Sequence, residues 1–115
     1  MEQQELYEGA PIKVRGKEYI VPGLSFAQLE KHMKAIERLN DKKNKGALTP
    51  QIMQDIATVI HAAMSRNYPD LKLDDIKDML DTRNAGYFVQ VIMGLSGFEQ
   101  VSAADGGQGE TEPVA

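Results

Sequence analysis

The 115-residue chain contains no cysteine and no tryptophan, only two histidines, and 6% aromatic residues. Without cysteine there is no disulfide framework and no thiolate metal site, so a reducing compartment is the expectation. His32 and His61 fall on separate predicted helices, and neither has the H-E-x-x-H spacing of a zinc site. No window approaches the ~18 apolar residues needed to cross a bilayer. The N-terminus, Met1-Glu2-Gln3-Gln4-Glu5, is acidic where a secretory signal would be basic. Neither membrane insertion nor export is expected. Phosphate-cradling loops of the G-x-x-x-x-G-K-[ST] and G-x-G-x-x-G types and the strained G-x-S-x-G elbow are also missing. No residue is therefore assigned as catalytic, cofactor-binding or metal-ligating, and no enzyme is expected.

What is present suits one soluble globular domain: 42% apolar and 26% charged residues in a chain too short for two cores. Seventeen acids against thirteen bases give a net charge of −4, which argues against a duplex-DNA binder held by phosphate contacts. The charge is unevenly spread. Glu2, Glu5 and Glu8 at one end, with Glu99, Asp105, Glu110 and Glu112 at the other, leave thirteen bases against ten acids in the middle. Residues 1–10 read as an acidic N-terminal arm. Residues 99–115, rich in glycine and acid with almost nothing to bury, read as a flexible, disordered tail.

Between them, Ile12-Lys13-Val14-Arg15-Gly16-Lys17-Glu18-Tyr19-Ile20-Val21 alternates apolar and polar residues about a Gly-centred turn. That pattern predicts a β-hairpin with Ile12, Val14, Tyr19 and Val21 inward, ended by Pro22-Gly23. Ser25-Phe26-Ala27-Gln28 is a capping box, with Leu24 and Leu29 at staple positions. Phe26, Leu29, Met33, Ile36 and Leu39 then mark a buried stripe on a helix ending near Asn40, with Lys31, Lys34 and Arg38 on another face. Asp41 to Ala47 reads as an exposed basic loop. Thr49-Pro50 opens a second helix, because proline at the first position loses no needed N–H. Ile52, Ile56, Val59, Ile60, Ala63 and Met64 form its apolar face. It closes at Arg66-Asn67-Tyr68-Pro69, with Asn67 expected as a left-handed cap. Leu71 and Ile76 bracket a short third helix with Asp74 and Asp75 in its first turn. Asn84 is the expected N-cap of a fourth, carrying Phe88, Val91, Ile92 and Leu95 before Gly97. The fold class is thus mainly α: a short N-terminal hairpin packed on a four-helix domain over residues 11–98.

Three clusters remain. Asp70, Asp74, Asp75, Asp78 and Asp81 lack the ligand order and central glycine of a calcium loop, and read as a solvated helix face. Lys31, Lys34, Arg38, Lys42, Lys43 and Lys45 are interleaved with Glu30, Glu37 and Asp41 and lack aromatic stacking platforms. Solvent or a protein partner suits them better than nucleic acid. Methionines 33, 53, 64, 79 and 93 spread over all four helices, as core filler or as an adaptable apolar contact surface. On residue type alone, the partner-binding candidates are Lys31, Met33, Lys34, Arg38, Met64 and Met93.

The segment His61-Ala62-Ala63-Met64-Ser65-Arg66-Asn67-Tyr68-Pro69-Asp70-Leu71, with the acidic short helix ending Met79-Leu80-Asp81, resembles the tail assembly chaperones of long-tailed bacteriophages and prophages. Gly16-Lys17-Glu18-Tyr19 with Val21-Pro22 and Leu24 is similar to their opening hairpin, and Gly94-Leu95-Ser96-Gly97-Phe98 to the end of their last helix. The chain departs from that pattern at Thr82-Arg83, where a Leu-Gly step is expected, and at Gly86, where proline commonly opens the last helix. The resemblance spans roughly residues 12 to 98. It implies a non-catalytic factor of the bacterial host cytoplasm, absent from the mature virion, that binds and solubilises the tape measure protein before tail tube subunits polymerise. Contact with the tail tube protein, self-association and a longer frameshifted form are further implications of the resemblance. A minor structural or adaptor subunit of the tail is the alternative, with a nucleic-acid-binding regulator behind it.

Overall fold

The computed structural model describes residues 6–44 and 48–97. Two antiparallel strands, β1 (Ala10–Val14) and β2 (Lys17–Val21), precede five α-helices: α1 (Phe26–Lys31), α2 (Met33–Asn40), α3 (Pro50–Met64), α4 (Leu73–Met79) and α5 (Asn84–Leu95). The expected acidic tail over 99–115 lies outside the described residues, as do Lys45 to Ala47 of the expected basic loop. Lys42–Asn44 of that loop form one 3-10 turn, started by Asp41, whose carboxylate accepts the Lys43 N–H at 2.9 Å.

The hairpin forms where the alternation places it. Ile12 faces Tyr19 and Val14 faces Lys17 across the ladder. Ile12, Val14, Tyr19 and Val21 are buried on its inner face. Its two-residue turn has positive φ at both central positions, 54° at Arg15 and 81° at Gly16, the primed geometry whose twist matches that of paired strands. A Cβ on Gly16 would meet nothing within 4 Å, so the cost of Gly16→Ala is purely that of holding an L-residue at positive φ. We expect that substitution to lower the unfolding free energy by about 1 kcal/mol in urea denaturation, with no change in m.

α3 is the central element. It packs against α2, α4, α5 and β2. Thr49 Oγ1 accepts the Ile52 N–H at 3.1 Å and Pro50 takes the first position, so this helix starts where the sequence places it. Val59, Ile60, Ala63 and Met64 on α3, Ile36 on α2, Ile76 on α4, and Phe88 and Ile92 on α5 make one contiguous core with the inner face of the hairpin. One apolar face per element is enough to close it.

Four expectations need correction. The first helix is divided at His32, whose φ of −109° and ψ of 19° interrupt it after the Ser25–Gln28 capping box has formed. Gln28 Nε2 donates to the Ala62 carbonyl at 2.7 Å, tying α1 to the last turn of α3. Among the described residues nothing covers the outer side of α1. Phe26 is consequently 86% exposed and Met33 37%, and only Leu29, Ile36 and Leu39 of the expected stripe turn inward. Asn67 is not in the left-handed region, because Arg15 is the one non-glycine residue with positive φ among those described. Asn84 is the first residue of α5, not its cap. Asp81 supplies the capping oxygen instead, accepting the N–H groups of Arg83 and Asn84 at 2.8 Å each. Finally, the arm does not stop short of the domain at residue 10: Leu6 to Gly9 run as a strap over the hairpin, and Ala10 already belongs to β1. The strap lies so close that a Cβ on Gly9 would fall 2.2 Å from the Val21 carbonyl oxygen.

Candidate functional site

Two regions of the surface carry structure beyond packing. The first is an open groove of about 480 Å³ between the start of α3 and the α4–α5 connection, with Leu48, Pro50, Met53, Ile56, Leu80 and Ala85 along it. Met53 is half-exposed at 50%, and Leu48 is exposed beside it. The periodicity of α3 explains the groove. Its inner face needs Ile52, Val59, Ile60 and Ala63, so apolar Met53 and Ile56 at the margin extend hydrophobicity past the core edge. On the α3 side the polar rim is the uncharged Gln54. On the opposite side it is charged, with Lys77 and Asp81. Two backbone hydrogen bonds to Oδ1 of Asp81 hold its carboxyl below the usual carboxylate range. Lys77 has no ion-pair partner among the described residues.

The second region is built by Arg66, Asn67 and Tyr68 where α3 gives way to its following turn. Asn67 is 2% exposed, and its carboxamide reads the backbone of two other segments. Its Oδ1 accepts the Tyr7 N–H at 2.7 Å, while Nδ2 donates to the carbonyls of Tyr7 at 3.1 Å and Ile20 at 2.9 Å. Tyr68 Oη accepts the Ile20 N–H at 2.7 Å, and its ring meets Tyr19 edge-on at 5.2 Å between centroids. Arg66 lays its guanidinium 4.1 Å from the Tyr7 ring centroid and donates to the Gly23 carbonyl at 2.6 Å. Asn67 and Tyr68 do for Ile20 of β2 what a third strand would do. Ile20 and Glu18 hold the outward-facing backbone groups of β2, and those of Ile20 are satisfied by side chains. On β1 the outward-facing positions are Pro11, which has no N–H, and Lys13, which brings a charge. Neither edge of the hairpin invites a further strand.

The six expected partner-binding residues do not form one surface. Lys31, Lys34 and Met33 are exposed along α1 and α2. Arg38 is engaged: Nε and Nη2 donate to the two carboxylate oxygens of Asp55 at 2.7 and 2.9 Å. Asp55 is buried and also accepts from Gln51 Nε2 at 2.9 Å. The hydrogen bonds from Arg38 hold the Asp55 carboxyl below its ordinary range against the opposing effect of burial. Met64 is 0% exposed and Met93 8%, so both are core residues and correct the expectation that they belong to a contact surface. Met64 closes the apolar face of α3 on the inside, which is the ordinary use of methionine. Met53 was legible as lying at a face edge beside Ile52, but Leu48, Leu80 and Ala85 come together only through the fold.

The two histidines are accounted for by their surroundings. His61 Nε2 lies 2.9 Å from the Leu71 carbonyl, which only accepts, so Nε2 carries the proton. His32, at the break between α1 and α2, is pushed below the ordinary imidazole range by burial, with Lys31 and His61 adding to the effect. Among the described residues no three His, Cys, Asp or Glu side chains stand where they would hold a metal ion, and no helix is long and apolar enough to cross a membrane. No protein-family model, curated protein or solved structure matches this chain.

Proposed function

We propose that this protein is a phage tail assembly chaperone, a non-catalytic domain that covers apolar helix faces of the tape measure protein in the host cytoplasm until tail tube subunits replace it. The observation that carries the reading is the open apolar groove beside α3, lined by Leu48, Pro50, Met53, Ile56, Leu80 and Ala85. A long helical chain with uncovered apolar stripes aggregates, and many copies of a small domain with a shallow apolar groove suppress that reversibly. Each contact must be weak enough to lose to the tube, with repetition supplying the hold. The resemblance of the His61–Leu71 segment to that family suggests the client, and the groove supports the reading as an uncovered apolar surface.

Co-expression tests the proposal. If a tape measure protein is encoded in the same genome, it should remain in the soluble fraction when the chain is present, with a several-fold loss of soluble material when it is omitted. Purified, tail-bearing particles should lack the chain. A tape measure protein equally soluble alone would overturn the proposal, and stoichiometric recovery of the chain in finished particles would make it a tail component instead.

A further inference from the structure

We propose that Arg66 and Asn67 form a binding site for an extended peptide segment with an aromatic residue two positions before a glycine, and that the chain's own strap, Leu6 to Gly9, fills this site as a detachable latch. The inference is independent of the chaperone reading: it concerns the far end of α3 from the groove and names no client.

The contacts are those of a receptor with a ligand. Asn67 takes both backbone groups of Tyr7, its Oδ1 accepting the N–H at 2.7 Å and its Nδ2 donating to the carbonyl at 3.1 Å. A carboxamide that bonds both groups of one residue holds extended backbone whatever the side chain. Selection among side chains comes from the neighbours. The Arg66 guanidinium stands 4.1 Å from the Tyr7 ring centroid and is fixed there by donating to the Gly23 carbonyl, so it presents a positioned cation to an aromatic face. Two residues on, the strap passes so close to β2 that a Cβ on Gly9 would lie 2.2 Å from the Val21 carbonyl oxygen, and only glycine fits.

Little else holds the strap. Leu6 and Tyr7 are exposed, and none of Leu6 to Gly9 belongs to the core. An open cavity of about 740 Å³ separates the strap from Gly23 and Leu95, so it bridges a space where it could have packed. Among the described residues no side-chain hydrogen bond but those from Asn67 reaches it. Release leaves Asn67 Nδ2 on the Ile20 carbonyl at 2.9 Å and Tyr68 Oη on the Ile20 N–H at 2.7 Å, so β2 keeps its support while the rest of the Asn67 amide meets water. Opening is therefore local and exposes little apolar surface. The vacated site offers a donor and an acceptor on Asn67, the Arg66 cation, and the apolar Ile20 and Leu95 to a segment with the strap's own pattern.

Amide exchange on the full chain tests the latch. The Tyr7 N–H should exchange at least about tenfold faster than the Val59 and Ile60 amides of α3, at a rate that low concentrations of urea leave unchanged, while the Ile20 N–H stays protected. Tyr7→Leu removes the ring from Arg66 and should speed exchange at that position about threefold. Gly9→Ala should hold the strap away from Val21, abolishing protection at Tyr7 while the thermal melt stays in place.

A synthetic peptide of residues 2–10, amidated at its C-terminus, tests the receptor. At millimolar concentration it should shift the Ile20, Gly23 and Asn67 amides of the Gly9→Ala chain, and bind the unmodified chain at least about tenfold more weakly because the latch competes. The Tyr7→Leu chain, whose strap is loosened without a clash, should take the peptide with an affinity between the two. A peptide carrying Tyr7→Ala should bind several-fold more weakly than the native one.

Tyr7 exchange that matches α3 in rate and urea dependence would overturn the latch, since the strap would then open only with the whole domain. Peptide binding no tighter to either variant than to the unmodified chain would overturn the receptor. Equal binding of the native and Tyr7→Ala peptides would overturn the aromatic preference assigned to Arg66.

Discussion

Asn67→Asp should be the most damaging single-atom change in this protein, lowering the unfolding free energy by about 4 kcal/mol at neutral pH, a large share of the roughly 5–15 kcal/mol that holds a domain of this size together. The amide nitrogen of Asn67 is the donor to two carbonyls, at 3.1 Å on Tyr7 and 2.9 Å on Ile20. Substituting oxygen sets three acceptors against one another in a site that is 2% exposed. The carboxylate still accepts the Tyr7 N–H, so the strap loses one side of its anchor and gains a repulsion. Asn67→Ala removes the partners without adding charge and should cost about 3 kcal/mol, the sum expected when three buried backbone groups lose their partners and water recovers some of them. Tyr68→Phe, which leaves only the Ile20 N–H unsatisfied, should cost about 1–2 kcal/mol.

The pH dependence separates charge from shape. Burial against carbonyls raises the folded-state pKa of an aspartate at position 67 above its unfolded value. The penalty is therefore fully present at pH above the raised value and shrinks as pH falls through it, when the protonated acid can donate again. Asn67→Ala should show no such recovery. Urea denaturation at pH 7 and 5 measures both, and amide exchange should report early opening of the strap and β2 relative to α3.

Asn67 also shows where local reading of the chain stops. The Ser25–Gln28 capping box, the Thr49-Pro50 helix start and the inner face of the hairpin depend on residues within a few positions of one another, and all three form as the sequence indicates. Asn67 instead bonds residues 47 and 60 positions away, so its role is set by which segments the core brings alongside. Read alone it looks like helix punctuation. Phe26 fails for the complementary reason: it sits in phase with Leu29 and Ile36, but periodicity gives direction and not whether a neighbour exists there. Met64 and Met93 belong to the same class, since methionine chemistry suits a core and an adaptable surface equally, and only packing decides. The groove is legible in part. Met53 lies off the main stripe of α3, while Leu80 and Ala85 reach it through the α4–α5 connection that Asp81 caps.

The second large effect should come from the ion pair between α2 and α3, and it should be lopsided. Arg38→Ala strands the Asp55 carboxylate, which is 2% exposed and keeps only Gln51 as a side-chain partner. Leaving Asp55 buried without its cation should cost about 3 kcal/mol at neutral pH. Asp55→Ala should cost clearly less, because the freed guanidinium is 43% exposed and can turn into water. The double variant should consequently be more stable than Arg38→Ala alone, the reverse of what two independent losses would give. In the unmodified chain the Asp55 carboxyl titrates below its ordinary value near 3.8, so the stability it adds is complete above that value and lost as pH falls through the lowered one. In Arg38→Ala, burial without a cation raises the same carboxyl, and the deficit closes as the pH drops and the acid becomes neutral. Denaturation profiles of the two chains should therefore converge toward acid. A deficit that stayed constant from pH 7 to pH 4 would mean that the arginine acts on α2 through the packing of its methylenes, with the charge contributing little.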